Sequence, residues 1–333
     1  MDYYQAVASQ AANLERSANI VREQLGALDL SRWQLGVLAV ASMGASSHAG
    51  HALVHRLGRY GRRAINVDAS EILALGPKSD VADGYVFVSE GGRSRETIAA
   101  AQQIGGNERL GITNDPTAPL SQVVDATFGI GHGEDSRVYT VGYTATLQAF
   151  GLLATALDGI CDGDDWPALP ALVDRTLTDL AVQAFEIADA LTEVTSIDVV
   201  GAGLARASAS ESALLIREST RISTAAYETY QFLHGPMEAL TRQRACVLFG
   251  EEREVRLARY LAAAKVPTVL VTSATVAAAK NLHVVPIPAV SGLSRAILQI
   301  LPIQLLAGDL ARRFGLKVNG FQHTQDDTKI DHV

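Results

Sequence analysis

The sequence predicts an α/β protein built from two tandem, doubly wound parallel sheets, each a flavodoxin-like three-layer αβα domain. Three observations predict it. Short β-rich apolar runs alternate with helical stretches, the signature of βαβ units and of parallel sheets covered on both faces. The same order of strand, small-residue loop and helix occurs twice along the chain. The chain has 333 residues, 48% of them hydrophobic, which is material for two domains of ordinary size, each expected to hold a core of its own.

Residues 1–30 mix Asp2, Glu15, Arg16 and Arg22 with alanines at helical spacing, so they read as an N-terminal helix and not as a basic-then-apolar export signal. In 31–157, the first domain, the apolar run 35–41 leads into Ser42-Met43-Gly44-Ala45-Ser46-Ser47-His48 and a helix over 49–59. A strand over 84–88 follows, then a loop over 89–94, a helix over 96–104 and a strand over 110–112. The second domain, 193–320, repeats the order: strand 197–200, loop Gly201-Ala202-Gly203, helix 205–217, strand 245–249, loop Gly250-Glu251-Glu252, helix 254–265 and strand 268–271. Between them, 158–192 comprises a stretch rich in Gly, Asp and Pro and a bridging helix over 171–192. Residues 321–333 form a C-terminal tail.

Composition narrows the function classes. With 28 Lys and Arg against 36 Asp and Glu and no basic run, nucleic acid is not an expected partner. The longest apolar stretch, 289–307, is interrupted by Ser291, Gly292, Ser294 and Arg295, so a soluble protein without a membrane partner is expected. Cys161 and Cys246 form neither a disulfide framework nor a metal knuckle, which suits a reducing cytoplasm. His48, His51 and His55 share a helix face, but no carboxylate accompanies them on that helix. They read as a packed face, and no metal or cofactor is expected.

Three loops carry candidate chemistry. Ser89-Glu90-Gly91-Gly92-Arg93-Ser94-Arg95-Glu96-Thr97 follows a strand and opens a helix, where turned N–H groups, a helix N-terminus and hydroxyls can hold a small dianion. Ser94 in that place also reads as an ordinary N-cap. Ser46 and Ser47 follow the first strand and emerge at the same sheet end, and the segment 131–140, ending in Thr140, reaches the same crevice. In the second domain, Glu211 and Glu218 are two turns apart on one helix face. Tyr227, Tyr230, Phe232 and Leu233 gather around His234, an aromatic density that suggests a subunit interface.

Met43 to Gly50, Ser89 to Thr97, Glu134 to Leu147 and Glu211 to Pro236 together resemble the sugar isomerase (SIS) domain family in order and spacing. The tandem arrangement is similar to the isomerase half of glutamine–fructose-6-phosphate amidotransferases, and to glucosamine-6-phosphate deaminases and fructosamine deglycases. The resemblance implies phosphate binding by Ser46, Ser89, Gly91 and Ser94, to which the converging loops add Ser47 and Thr140 as expected binding residues. It also implies proton transfer by Glu218, ring opening by His234 of His-Gly-Pro reaching a neighbouring subunit's site, and a possible imine-forming Lys329 in the tail over the sugar. The expected partners are a small sugar phosphate and a second copy of the chain in a homodimer with shared active sites.

The sequence departs from the family pattern at Glu90, Gly91, Val141 and Leu215, and around Gln322-His323-Thr324, where a Pro-Arg pair is missing. Glu90 stands where Gln is usual and Gly91 where Ser is usual, while Val141 and Leu215 replace lysines. A carboxylate at 90 repels a dianion unless it turns away or pairs with Arg93 or Arg95. The glutaminase domain of the amidotransferase is not in the sequence, so an isomerase or deaminase of an amino-sugar phosphate without glutaminase activity is expected. A deglycase and a non-catalytic sugar-phosphate regulator are the alternatives.

Overall fold

Aliphatic and β-branched runs of five or six residues, too short for a stable helix face, become the central strands of two sheets. The computed structural model describes residues 1–77, 80–106, 108–323 and 325–331; Thr324 and the last two residues of the expected tail lie outside the described residues. The chain opens with α1 (Tyr3–Ala8) and α2 (Gln10–Ala27). The first sheet region then runs β1 (Leu38–Ser42), α3 (Gly44–Arg59), β2 (Ala64–Asp68), α4 (Ala69–Leu75), β3 (Gly84–Val88), α5 (Arg95–Gln103), β4 (Glu108–Thr113), β5 (Ala126–Gly129) and α6 (Val141–Asp158). After α7 (Leu169–Ala190) come β6 (Ser196–Gly201), α8 (Ala205–Thr220), β7 (Ser223–Tyr227), α9 (Thr229–Leu233), β8 (Arg244–Phe249), α10 (Arg253–Ala263), β9 (Thr268–Thr272), β10 (Leu282–Pro286) and α11 (Gly292–Arg313).

The sheets order as β2-β1-β3-β4-β5 and β10-β9-β8-β6-β7, and every pairing is parallel. Read from the β7 edge, the second has the same order as the first. The direction of winding reverses between β1 and β3, and again between β6 and β8, and such a reversal opens a crevice at the strands' carboxyl ends.

The period of two along each strand sorts side chains between cores. Leu38 and Val40 of β1, Val86 and Val88 of β3, and Val199 and Val247 of the second sheet all belong to one cluster that runs through both halves. Ala39, Tyr85 and Phe87 face a separate cluster under the first sheet, and Val200, Cys246 and Leu248 face another under the second. The expectation of one core per domain is therefore corrected: the two sheets share a continuous core and each keeps a smaller one behind it. Among the described residues, α11 alone is long and apolar enough to cross a membrane, and 83% of that window is buried inside the fold. Its apolar surface is spent on packing against α7 and α8.

Two local expectations also change. The N-terminal helix is split at Ser9 into α1 and α2. Helix α3 starts at Gly44, five residues before the expected 49, so Ser46, Ser47 and His48 are helical residues and not loop. The histidine face of α3 packs on α8 of the other half: His48 Nδ1 lies 2.9 Å from Glu211 Oε2. Burial and Arg206 push His51 down to about 4, a neutral side chain suited to packing.

Candidate active site

A cavity of about 510 Å³ opens where the loop after β3, the start of α3, the start of α6 and one face of α8 converge. Two helices long enough to carry a useful dipole, α3 and α5, direct their N-termini at it, and such ends favour an anion. The loop has a tight form. Gly92 donates its N–H to the Ser89 carbonyl at 2.9 Å and takes φ +64, and a Cβ there would meet Ala118 and Thr113 at 2.5 and 2.8 Å. Gly91 has no such neighbour, so its space is open to the cavity. Ser89 Oγ accepts from the Ser94 N–H at 3.3 Å, and Ser94 Oγ accepts from the Thr97 N–H at 3.4 Å. Ser94 thus caps α5 while it lines the cavity.

Of the residues expected from sequence, Ser46, Ser89, Gly91, Ser94, Glu218 and Lys329 line this one cavity. Three do not. Ser47 is buried and its hydroxyl donates to Asp68 Oδ1 at 2.7 Å, because the early start of α3 turns it toward β2. Thr140 is fully buried, and both its N–H and its hydroxyl donate to the Asp135 carboxylate at 3.0 and 2.9 Å. His234 caps the end of α9 and is exposed, outside the cavity. The aromatic cluster beside it is also corrected. Phe232 is buried within its own half and packs on Tyr227 at 5.4 Å, leaving Tyr230, 59% exposed, as the aromatic that projects.

The carboxylates of α8 enter the cavity from the second half. Glu211 is buried against His48, and burial raises its carboxyl above the usual range. Glu218 is half-buried, and burial together with the Glu211 charge raises it to about 7, against the opposing pull of His48 and Arg221. A carboxyl poised there can both take and return a proton near neutrality. Tyr139 and Tyr143 also face the cavity, and burial raises both phenols, so both stay protonated donors. Tyr143 has a buried hydroxyl with no partner.

The C-terminal tail is stitched onto the cradle. The Arg95 N–H donates to the Thr328 carbonyl and the Ile330 N–H to the Arg93 carbonyl, each at 3.0 Å, and Lys329 bridges Ser94 in antiparallel sense. Arg93 pairs with Asp331 at 2.5 Å, so it does not neutralise Glu90. That task falls to a residue the sequence reading passed over: His132 Nε2 lies 2.9 Å from Glu90 Oε1. A carboxylate and a histidine in loops at the same end of a parallel sheet were the available signal.

The corresponding loop of the second half is closed. Glu251 follows β8 as Glu90 follows β3, by two residues. Its carboxylate accepts from the Ser273 hydroxyl at 3.1 Å and pairs with Arg295.

The cavity thus lies at the switch point of a parallel α/β sheet, the place where proteins of this architecture bind ligands. Residues 190–312 match the family model of the SIS domain. The isomerizing glutamine–fructose-6-phosphate aminotransferase of Gloeobacter violaceus is 29% identical over 279 residues, covering 75% of this chain and 44% of that protein. The chain spans about half the length of the curated relatives it matches. Among solved structures, the C-terminal domain of glucosamine-fructose-6-phosphate aminotransferase from Francisella tularensis superposes with a TM-score of 0.79 at 20% identity, covering 94% of this chain and 96% of that one. The glucosamine-6-phosphate deaminase of Thermotoga maritima gives 0.75 at 18% identity, with 95% and 98% covered. The match to the SIS domain model thus covers residues 190–312, and the chain shares the fold of these solved structures, with two five-stranded parallel sheets.

Proposed function

We propose that the protein is a cytoplasmic phosphosugar isomerase or deaminase acting on an amino-sugar phosphate such as glucosamine-6-phosphate. One observation carries the reading: a single cavity joins a hydroxyl- and amide-lined cradle under two helix N-termini to a carboxyl raised to about 7. The phosphate sits on Ser46, Ser89, Gly91 and Ser94. Glu218 moves the proton between C2 and C1 of the open-chain sugar. For a 2-amino aldose that shift leaves an imine at C2, which water cleaves to ammonia and the ketose. Lys329 lines the cavity from the tail, which bridges to Ser94, and on this reading its amine reaches the sugar and can form an imine with it.

A substrate panel tests this. Glucosamine-6-phosphate, galactosamine-6-phosphate, fructose-6-phosphate and fructosamine phosphates are followed for ammonia release, sugar interconversion and amino-acid release. Ammonia marks a deaminase, interconversion alone an isomerase, and amino-acid release a deglycase. Binding of none of the four sinks the reading. Ser89→Ala is expected to weaken phosphorylated-sugar affinity by about 1–3 kcal/mol, the loss of a hydrogen bond to a charged group, with no change for unphosphorylated sugars. Equal weakening of both by calorimetry would remove Ser89 from the cradle.

His234 is exposed and does not line its own chain's cavity, which supports a homodimer in which it opens the ring in the partner's site. Mixing inactive Glu218→Gln with inactive His234→Ala is then expected to restore part of the activity, since each mixed dimer regains one intact site. No recovery despite demonstrated subunit exchange would place His234 outside the reaction.

A further inference from the structure

A carboxylate beside a bound dianion costs affinity, yet Glu90 lines the cradle. The surrounding atoms show how its charge is met. His132 is buried, and its Nδ1 lies 2.7 Å from the Gly133 carbonyl oxygen. A carbonyl only accepts, so Nδ1 carries a proton. The other ring nitrogen faces Glu90 Oε1 at 2.9 Å, and a carboxylate also accepts. The approach is a contact of charges and not a hydrogen bond, since Nε2 makes none; when Nε2 is also protonated the imidazolium offsets the carboxylate and the pair carries no net charge. The ring is held by its bond to the Gly133 carbonyl. Its backbone is tied by Asn114 Nδ2 donating to the His132 carbonyl at 3.2 Å and by the Gly133 N–H donating to Asn13 Oδ1 at 2.6 Å.

The other ionisable groups facing the pair come from the segment that leads into α6. Tyr139 faces Glu90, and Asp135 is occupied by the N–H groups of Ser136, Thr140 and Gly142. The second half supplies a contrast. Glu251, in the matching place, is held by Arg295, a cation that does not titrate near neutrality. Glu90 is held by the one side chain whose charge changes there.

We propose that His132 is a positioning residue of the cradle: its imidazolium, 2.9 Å from Glu90, offsets the charge of that carboxylate beside the ligand, so affinity for a phosphorylated sugar falls when His132 loses its proton. The inference rests on the phosphosugar reading of the same cavity. Its window lies above the ordinary histidine range. Burial works against the charged imidazole, but the contacts with Glu90 and Gly133 outweigh it and raise His132. A phosphate monoester is already a dianion above about pH 7, its second ionisation lying near 6, so a change at higher pH reports the protein.

The test is calorimetric titration of glucitol-6-phosphate, which has no amine and cannot react, at about pH 7 and about pH 9. Wild type is expected to bind about tenfold more weakly at the higher pH, from one uncompensated charge near the ligand. Glu90→Gln should keep its affinity at both. His132→Gln should be weak already at the lower pH, and the double variant should recover, which a purely structural role for His132 would not allow. If His132→Gln does not fold, Glu90→Gln decides alone: the same fall with pH as wild type overturns the proposal. So does wild-type affinity that is flat with pH. Wild-type protein that binds glucitol as well as glucitol-6-phosphate sinks the cradle reading itself, whereas a preference for the phosphate with no difference among the variants sinks only the role of the pair.

Discussion

Glu218→Gln is expected to lower kcat by roughly 10²–10⁴ while leaving ligand affinity within a few fold, because the amide keeps size and hydrogen bonding but cannot accept the proton. The side chain sits on α8 at the edge of the cavity, and burial with the neighbouring Glu211 raises it to about 7. The sign of the pH dependence follows. A base must be ionised to act, so activity rises as pH passes upward through about 7 and is lost below it. Measuring kcat and the dissociation constant of an unreactive sugar phosphate across pH separates the roles. Equal losses in affinity and rate would make Glu218 a binding residue, and a profile without the acidic limb would move the base elsewhere.

Arg56→Ala is expected to destabilise the fold by about 3–5 kcal/mol, the cost of leaving a buried charge without its partner. Arg56, on α3, is 1% exposed. Its guanidinium is paired with Asp158 at the end of α6, donates to the Ile160 carbonyl and stacks 4.8 Å from the centre of the Tyr60 ring. These contacts fasten the start of the connection between the two sheets to the helix that opens the site. Urea unfolding measures the loss. The double change Arg56→Met with Asp158→Leu should recover most of it, since it removes both charges, and a single variant as stable as wild type would show that the pair is idle.

Much of the fold was legible because central strands are buried on both faces and therefore read as unbroken apolar runs. Gly84–Val88 is at its expected bounds, and β6, β8 and β9 are within one residue of theirs. The strands that were missed, β2, β7 and β10, are all at sheet edges and carry half-exposed residues such as Asn66 and His283 and the exposed Ser223. An edge buries less, so its composition is mixed and its signal weak. In the site, backbone-driven features were readable: the glycine turn, the cap at Ser94 and the shared face of Glu211 and Glu218. Hydroxyl direction was not. Ser46 and Ser47 are adjacent in sequence, but a helix turns successive side chains by about 100°, so starting α3 five residues early sends one to the cavity and the other to Asp68. The partnership of Glu90 with His132 joins residues 42 apart, a pairing that only the alignment of parallel strand ends brings about.

The cradle belongs to the first sheet and the Glu218 carboxyl to a helix of the second, and His48 against Glu211 is part of the seam between them. On the proposed reading, the two halves act as the jaws of a caliper. One jaw grips the phosphate end of the sugar and the other touches the carbons that exchange a proton, and the gap is set by how α3 and α8 pack. Chain length is then measured mechanically, before any hydroxyl is inspected: a sugar too short to bridge the jaws can be gripped at one end yet never reach the other. Changes at the seam, far from any group that touches ligand, would reset the gauge and with it which sugars count as substrates.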